Sequence, residues 1–429
     1  MDSGDQNSGL TQLLQQVRVL DAVSQTDRIA DVLLENNQIK AIHPQITDYP
    51  SSTEVKDAHG LIFAPGLVDL YSHSGEPGWE ERETLISLGE SALAGGFTRV
   101  GILPDTQPPL DSPATIEWLK RFTPSHAPKF HFWADLTVGG KGEQMTELGE
   151  LAATGIVGFT DGQPLGNLGL LHQVLTYVQP LGKPVALSLG DRALSKNGVM
   201  REGKLSLKTG LPGNPAVSET AALAAILELV TVIPTPVHLM GVSTARSVEL
   251  IADGKARGLP ITASTTWMHL ILNTAAITTY DPNLNICPPL GDRSDQLALI
   301  TAVKSGIIDA IAVNHTPYTY EEKTVAFADT PPGAIGLELA LPLLWQTFVE
   351  TGEWTALELW QALSASPQTC LNLPPLRCTV GETTEAILFD PKKTWTVCKS
   401  NLKSLSTNTP WFGKQITGQV VDRFFNDVK

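Results

Sequence analysis

Asp69-Leu70-Tyr71-Ser72-His73-Ser74-Gly75-Glu76-Pro77-Gly78 follows an apolar run, Leu61 to Leu70. Such a run reads as a buried strand, and the histidine at its end reads as part of a hydrolase metal site with a ligand missing. Side chains alternate in direction along a strand, so Tyr71 and His73 share the inward side. Histidines at both positions would give two ligands to one metal. Here only His73 has a ligand side chain. The phenol of Tyr71, titrating at about 10, is a poor replacement for neutral imidazole.

Similar short runs recur downstream: Leu67 to His73, Arg99 to Leu103, Phe130 to Val138, Gly155 to Asp161, Pro184 to Leu189, Val237 to Val242, Pro260 to Thr266 and Ile308 to Asn314. Amphipathic stretches separate most of them, among them Glu83 to Ala94, Gly169 to Val178, Ser218 to Val230, Ala245 to Ala256 and Arg293 to Lys304. Eight strands alternating with helices predict an α/β fold, a (β/α)8 TIM barrel over residues 65–375. Both chain ends differ in texture. Residues 12–64 carry short alternating segments (Val17 to Leu20, Ile29 to Glu35, Gln38 to Ile42), and residues 376–429 carry Ala386 to Phe389, Thr394 to Val397 and Gly418 to Phe424. They predict two halves of one small β-sandwich domain. In such a barrel the chemistry belongs at the strand ends, where the loops converge on one mouth.

The length, 429 residues, suits one large barrel with a smaller attachment. A net charge of −15 argues against nucleic acid and anionic membrane as partners. The polar N-terminus, Met1 to Gln12, lacks a basic segment followed by an apolar one, so no secretory signal is read there; this tail is expected to be disordered. No apolar run approaches the roughly 18 residues of a membrane span. Cys287, Cys370, Cys378 and Cys398 are scattered without CxxC spacing, which argues against a zinc knuckle or a disulfide framework. Buried thiols in a cytoplasmic protein are expected.

The chain resembles the dihydroorotases, amidohydrolase-superfamily enzymes that close carbamoyl aspartate to dihydroorotate in pyrimidine synthesis. Nearly the whole length is covered. The resemblance is carried by Pro65-Gly66-Leu67-Val68-Asp69 with Glu76-Pro77-Gly78, Ala94-Gly95-Gly96-Phe97-Thr98 and Pro104-Asp105-Thr106-Gln107-Pro108-Pro109. Asp161-Gly162, Gly198-Val199-Met200, Leu211-Pro212-Gly213, Val242-Ser243-Thr244-Ala245, Pro288-Pro289-Leu290, His315-Thr316-Pro317, Gly336-Leu337-Glu338 and Asn408-Thr409-Pro410 follow in order.

The family pattern implies an HxH on the first strand, a bridging carboxylate, two single histidines and a catalytic aspartate. Tyr71 replaces one first-strand histidine; Ser188 and Gly241 stand at the two single-histidine positions, and Asn314 at the aspartate. His73 and Asp161 remain as remnant ligands, too few for a catalytic zinc with three protein ligands. Asn314 cannot act as general base. The resemblance further places Gly75 at the arginine that clamps the substrate carboxylate, Asp105 and Cys287 at asparagines, and Tyr318 at a histidine. Metal site, base and clamp are lost together, which fits relaxed selection on catalysis better than retuning.

No cofactor is expected on this reading, and the mouth should be narrowed and metal-free. The expected protein is a catalytically inactive dihydroorotase-like pseudoenzyme. The resemblance implies a structural partnership with the aspartate transcarbamoylase catalytic chain, and an oligomer. The alternative is an active cyclic amidohydrolase, hydrolysing dihydroorotate reversibly to N-carbamoyl-L-aspartate with a reduced zinc site of His73, Asp161 and His315. A third reading is a ligand-binding sensor; nothing in the sequence selects it. Structural readings stand beside the functional ones. His73 would be hydrogen-bonded in a plugged mouth, Asp161 would be a turn carboxylate, and His238 would face the helices. His315 would sit at the rim, and Asp191 and Arg192 would pair with each other or with solvent.

Overall fold

The computed structural model describes residues 11–124, 127–382 and 385–425, so the polar N-terminal tail lies largely outside the described residues. All eight expected barrel strands form: Leu67–Ser72, Phe97–Ile102, Lys129–Ala134, Gly158–Phe159, Val185–Ser188, Val237–Met240, Ile261–Thr266 and Ala310–Ala312. They join in sequence order into one parallel sheet. No ladder joins its two edges among the described residues. Side chain and loop close the gap instead: the Asp69 carboxylate accepts from the Val313 N–H at 2.7 Å, and the His73 N–H donates to the His315 carbonyl at 2.9 Å. Burial lifts Asp69 to about 7, against the hydrogen bonds from Ser72 and Val313 that favour its charge.

The barrel interior is filled by Val68, Leu70, Tyr71, Trp133, Ala186 and Met240, with Ala310 and Ala312 beside them. The helices expected between the strands are present, Ala245–Ala256 at the expected bounds and Arg293–Ser305 one residue longer. The first begins at Leu85 rather than Glu83. Thr84 caps it through a capping box with Ser87, while Glu83 turns away to accept from the Leu405 N–H and the Ser404 hydroxyl.

The chain ends build a second, seven-stranded sheet. Gln415–Phe424, Ala386–Thr396, Ile62–Pro65, Thr11–Asp21, Thr26–Glu35 and Gln38–His43 lie in that order, with Glu54–Asp57 paired to Thr11–Asp21. Ala386 to Phe389 and Thr394 to Val397, expected as separate strands, fall in one strand, Ala386–Thr396, that bulges between Asp390 and Thr394 and stops one residue short of Val397. The sheet has its own core of Val17, Val32, Phe63, Leu388 and Phe424. It is tied to the barrel by the Arg99–Glu385 ion pair at 3.0 Å and by the Trp360 indole N–H donating to the Pro65 carbonyl at 3.0 Å.

All four cysteines are free thiols. The expectation that all are buried holds for Cys370, holds only in part for Cys378 and Cys398, and fails for Cys287, which is exposed where its loop borders the barrel mouth. No described helix is long and apolar enough to cross a membrane.

Candidate functional site

The carboxyl ends of the barrel strands enclose a cavity of about 240 Å³. Tyr71, His73, Ser188, Gly241, Cys287, Asn314 and Tyr318 all line it, so positions from the first strand to the loop after the last converge on one mouth. Gly75 and Asp105 lie in an adjoining recess with Trp79, Arg82 and Tyr318. Asp161 and His315 line neither space. The ligand trio of the reduced-zinc alternative therefore does not assemble around the mouth.

Tyr71 is 1% exposed and hydrogen-bonded within the barrel. Its hydroxyl accepts from the Gly241 N–H at 3.0 Å and lies 3.0 Å from the Ser264 hydroxyl. Ser264 is in turn 2.9 Å from His238 Nε2, and His238 Nδ1 is 2.9 Å from the Thr262 hydroxyl. This chain of contacts corrects the expectation for His238, which points into the barrel rather than toward the helices. Burial pushes the His238 imidazolium down to about 3 and raises the Tyr71 phenol above its ordinary range. Both groups stay neutral, and the phenol is far from the phenolate a metal would need. Replacing Tyr71 by Phe keeps the ring and leaves the buried Gly241 N–H without its acceptor. A stability loss of about 1–3 kcal/mol is expected, read as a lower urea midpoint; an unchanged midpoint would show that the hydroxyl contributes nothing.

His73 is engaged differently. Its Nδ1 lies 2.5 Å from Asp105 Oδ2. Burial disfavours the imidazolium, yet the charge and hydrogen bond of Asp105 outweigh it and raise the His73 pKa. The charge and hydrogen bond of His73 in turn hold Asp105 below the usual carboxylate range. The sequence reading treated Asp105 only as a charge that would repel a carboxylate. Its position after the second strand, beside the end of the first, was the available signal for its pairing with His73.

The remaining candidates are equally engaged. Asp161 accepts from the Thr137 N–H at 2.9 Å and the Thr137 hydroxyl at 2.7 Å; burial nevertheless raises its pKa. At Gly75 a Cβ would stand 2.3 Å from the Glu83 carbonyl oxygen and 2.4 Å from that of Trp79, so the backbone leaves no room for an arginine side chain. Arg82, the cation closest to this recess, stacks on Trp79 at 4.4 Å and Tyr318 at 5.0 Å and pairs with Glu322 at 2.5 Å. Burial pushes the Tyr318 phenol up to about 12. His315, expected at the rim, is fully buried. Its Nδ1 accepts from the Gly336 and Leu337 N–H groups at 3.2 and 3.4 Å, which leaves the proton on Nε2, 3.3 Å from Glu83. Asp191 and Arg192 do not pair with each other: Asp191 caps the short helix Arg192–Ser195, and Arg192 donates to Gln163 at 2.6 Å.

The sequence reading missed Asp135, at the exit of the third strand. It is 2% exposed, and its Oδ2 has no partner among the described residues. Burial, then the charges of Asp161, Asp111 and Asp105, push it up to about 9. Among the described residues no three His, Cys, Asp or Glu side chains are grouped so as to hold a metal ion. The donor set at the mouth thus does not fit the zinc site implied by the family pattern.

Residues 60–244 match the family model described as dihydro-orotase-like. The chain is 45% identical to a probable dihydroorotase-like protein of Synechocystis sp., over 96% of this chain and 99% of that one. It is 36% identical to a dihydroorotase of Syntrophus aciditrophicus, over 95% and 96% of the two chains. An L-hydantoinase (dihydropyrimidinase) from Arthrobacter aurescens shares the fold at a TM-score of 0.85, with 20% identity over 97% of this chain and 95% of that one.

Proposed function

Since the chain belongs to the dihydroorotase-like family of amidohydrolases, we propose that it is a catalytically silent member with a structural task, supporting the catalytic chain of aspartate transcarbamoylase in a joint oligomer. The observation that carries the silence is the composition of the mouth. Tyr71, Ser188, Gly241 and Asn314 offer no imidazole or carboxylate, and the one imidazole present, His73, is bound to Asp105. A hydrolytic zinc requires about three protein ligands and an open position for water. The carboxylate clamp is absent for a separate reason, because the backbone around Gly75 excludes a side chain.

The resemblance described above supports the partner. Its test is co-expression with the transcarbamoylase catalytic chain of the same genome. The two chains are expected to co-elute in one particle in fixed ratio, while the transcarbamoylase expressed alone gives a smaller or less heat-resistant assembly. A strictly homo-oligomeric particle in the presence of the transcarbamoylase would remove the partner from the proposal and leave the silence standing.

A further inference from the structure

We propose that the free edge of the last strand, Gln415–Phe424, is a docking site at which an extended acidic segment of a partner chain adds to the seven-stranded sheet as a further strand. The site stands apart from the barrel mouth, and nothing in it depends on whether the chain is catalytically silent.

Position comes first. Gln415–Phe424 pairs with Ala386–Thr396 on one side and ends the sheet on the other. A cleft of about 390 Å³ lies against it, and six consecutive residues of the strand, Gly418 to Arg423, line that cleft. Successive side chains of a strand point to opposite faces, so a space over one face would meet alternate residues only. Contact with the whole run places the cleft along the edge of the strand, where main-chain groups face outward. The opposite wall is apolar: Leu93 and Ala94, at the end of the first barrel helix, with Pro342. Trp395 also lines the cleft and is fixed there by its indole N–H, which donates to the Gly418 carbonyl at 2.9 Å. An open edge offers unpaired N–H and C=O groups to another chain, and a wall beside it limits what enters to one extended segment.

Charge selects the segment. Between Pro391 and Phe425 six exposed cationic side chains (Lys392, Lys393, Lys399, Lys403, Lys414 and Arg423) stand against one acid, Asp422, in a chain of net charge −15. Lys403 and Arg423 line the cleft itself, and neither side chain has an ion-pair partner among the described residues. The two acids beside them are engaged. Asp422 pairs with Lys56 at 3.3 Å, and the Glu338 carboxylate accepts from the Lys403 and Ser404 N–H groups at 2.9 and 3.2 Å. An acidic segment therefore gains two partners, whereas a basic one meets like charge. In strand addition main-chain pairing supplies affinity and side chains supply the choice of partner.

The test titrates short blocked peptides into the full chain: one of alternating valine and glutamate, one of alternating valine and lysine, and the first with every main-chain amide methylated. The glutamate peptide is expected to bind saturably, more weakly as salt rises, and to slow hydrogen exchange at the amides of Gly418 to Arg423. The lysine peptide should bind at least about tenfold more weakly, and the methylated one, which cannot pair as a strand, not at all. Lys403→Glu combined with Arg423→Glu should reverse the preference between the charged peptides, with an unchanged urea midpoint showing an intact fold; if that variant does not fold, the three peptides on the unaltered chain decide. Absence of saturable binding, or protection elsewhere in the chain, would overturn the inference. So would equal binding of the methylated peptide, or displacement by inorganic phosphate at constant ionic strength, either of which would mark a site for small anions. Protection of Gly418 to Arg423 that appears without peptide and grows with protein concentration would assign the edge to a second copy of this chain instead.

Discussion

Purified protein supplied with zinc is expected to show no dihydroorotate hydrolysis above the uncatalysed rate and to retain zinc at well under one equivalent. The expected loss is large because several contributions disappear together. A positioned acid or base contributes about 10²–10⁴ in rate, and a metal-bound nucleophile contributes a further, separate factor. At Asn314 an amide stands where proton transfer would require a carboxylate, and at Tyr71 a buried phenol is engaged by Gly241 and Ser264.

Single reversions should not recover activity. Tyr71→His restores one ligand, breaks the Gly241 hydrogen bond, and still faces Ser188, Gly241 and Asn314. Gly241→His meets a backbone obstacle, since Gly241 has φ 63° and a Cβ there would stand 3.1 Å from Pro288 Cδ. Left-handed backbone at a bulky residue costs on the order of 1–3 kcal/mol. Asn314→Asp is the easiest at the backbone level, because asparagine and aspartate both tolerate the positive φ of 53° found there. The expected result is a folded N314D variant without zinc and a G241H variant with a lower urea midpoint. Stoichiometric zinc and measurable turnover in the unaltered chain would refute the silent reading outright.

The barrel was legible because its strands are short apolar runs with polar ends; all eight lie within or beside their expected runs, although the fourth shrinks to Gly158–Phe159 and the eighth to Ala310–Ala312. Helix starts were less legible. Glu83 looks like part of an amphipathic helix, but its carboxylate is claimed by Ser404 and Leu405, some 320 residues away, which no local pattern reveals. His238 failed for a geometric reason. Alternation with the candidate position Gly241 would turn His238 toward the helices, but the strand ends at Met240 and Gly241 is left-handed. Parity along a strand carries no information past such a residue. The convergence of Tyr71, His73, Ser188, Gly241 and Asn314 was legible from the family pattern. Their partners were not, because the His73–Asp105 pair and the Tyr71–Ser264–His238 chain join residues on different strands far apart in sequence, which no local pattern reveals.

Asp135→Asn is expected to stabilise the protein increasingly as pH rises, by at least about 2 kcal/mol at pH 8 and by little at pH 4. Asp135 titrates at about 9 in the fold against 3.8 for the free side chain. Between those values the folded chain holds a proton that the unfolded chain has released. Unfolding therefore becomes easier as pH rises through that window, by up to about 1.4 kcal/mol per pH unit for one group. The sign is opposite to that of a carboxylate stabilised by a cation. The cause is local: burial deprives the carboxylate of water, Oδ2 has no donor among the described residues, and Asp161, Asp111 and Asp105 all repel its charge. Asparagine resembles the protonated acid in size and adds an N–H group that those neighbours can accept. Urea unfolding of both proteins from pH 4 to 8 should give two curves that start together and diverge, the variant lying above. Parallel curves would mean that Asp135 ionises freely in the fold and that the repulsion at the third strand's exit is relieved by solvent.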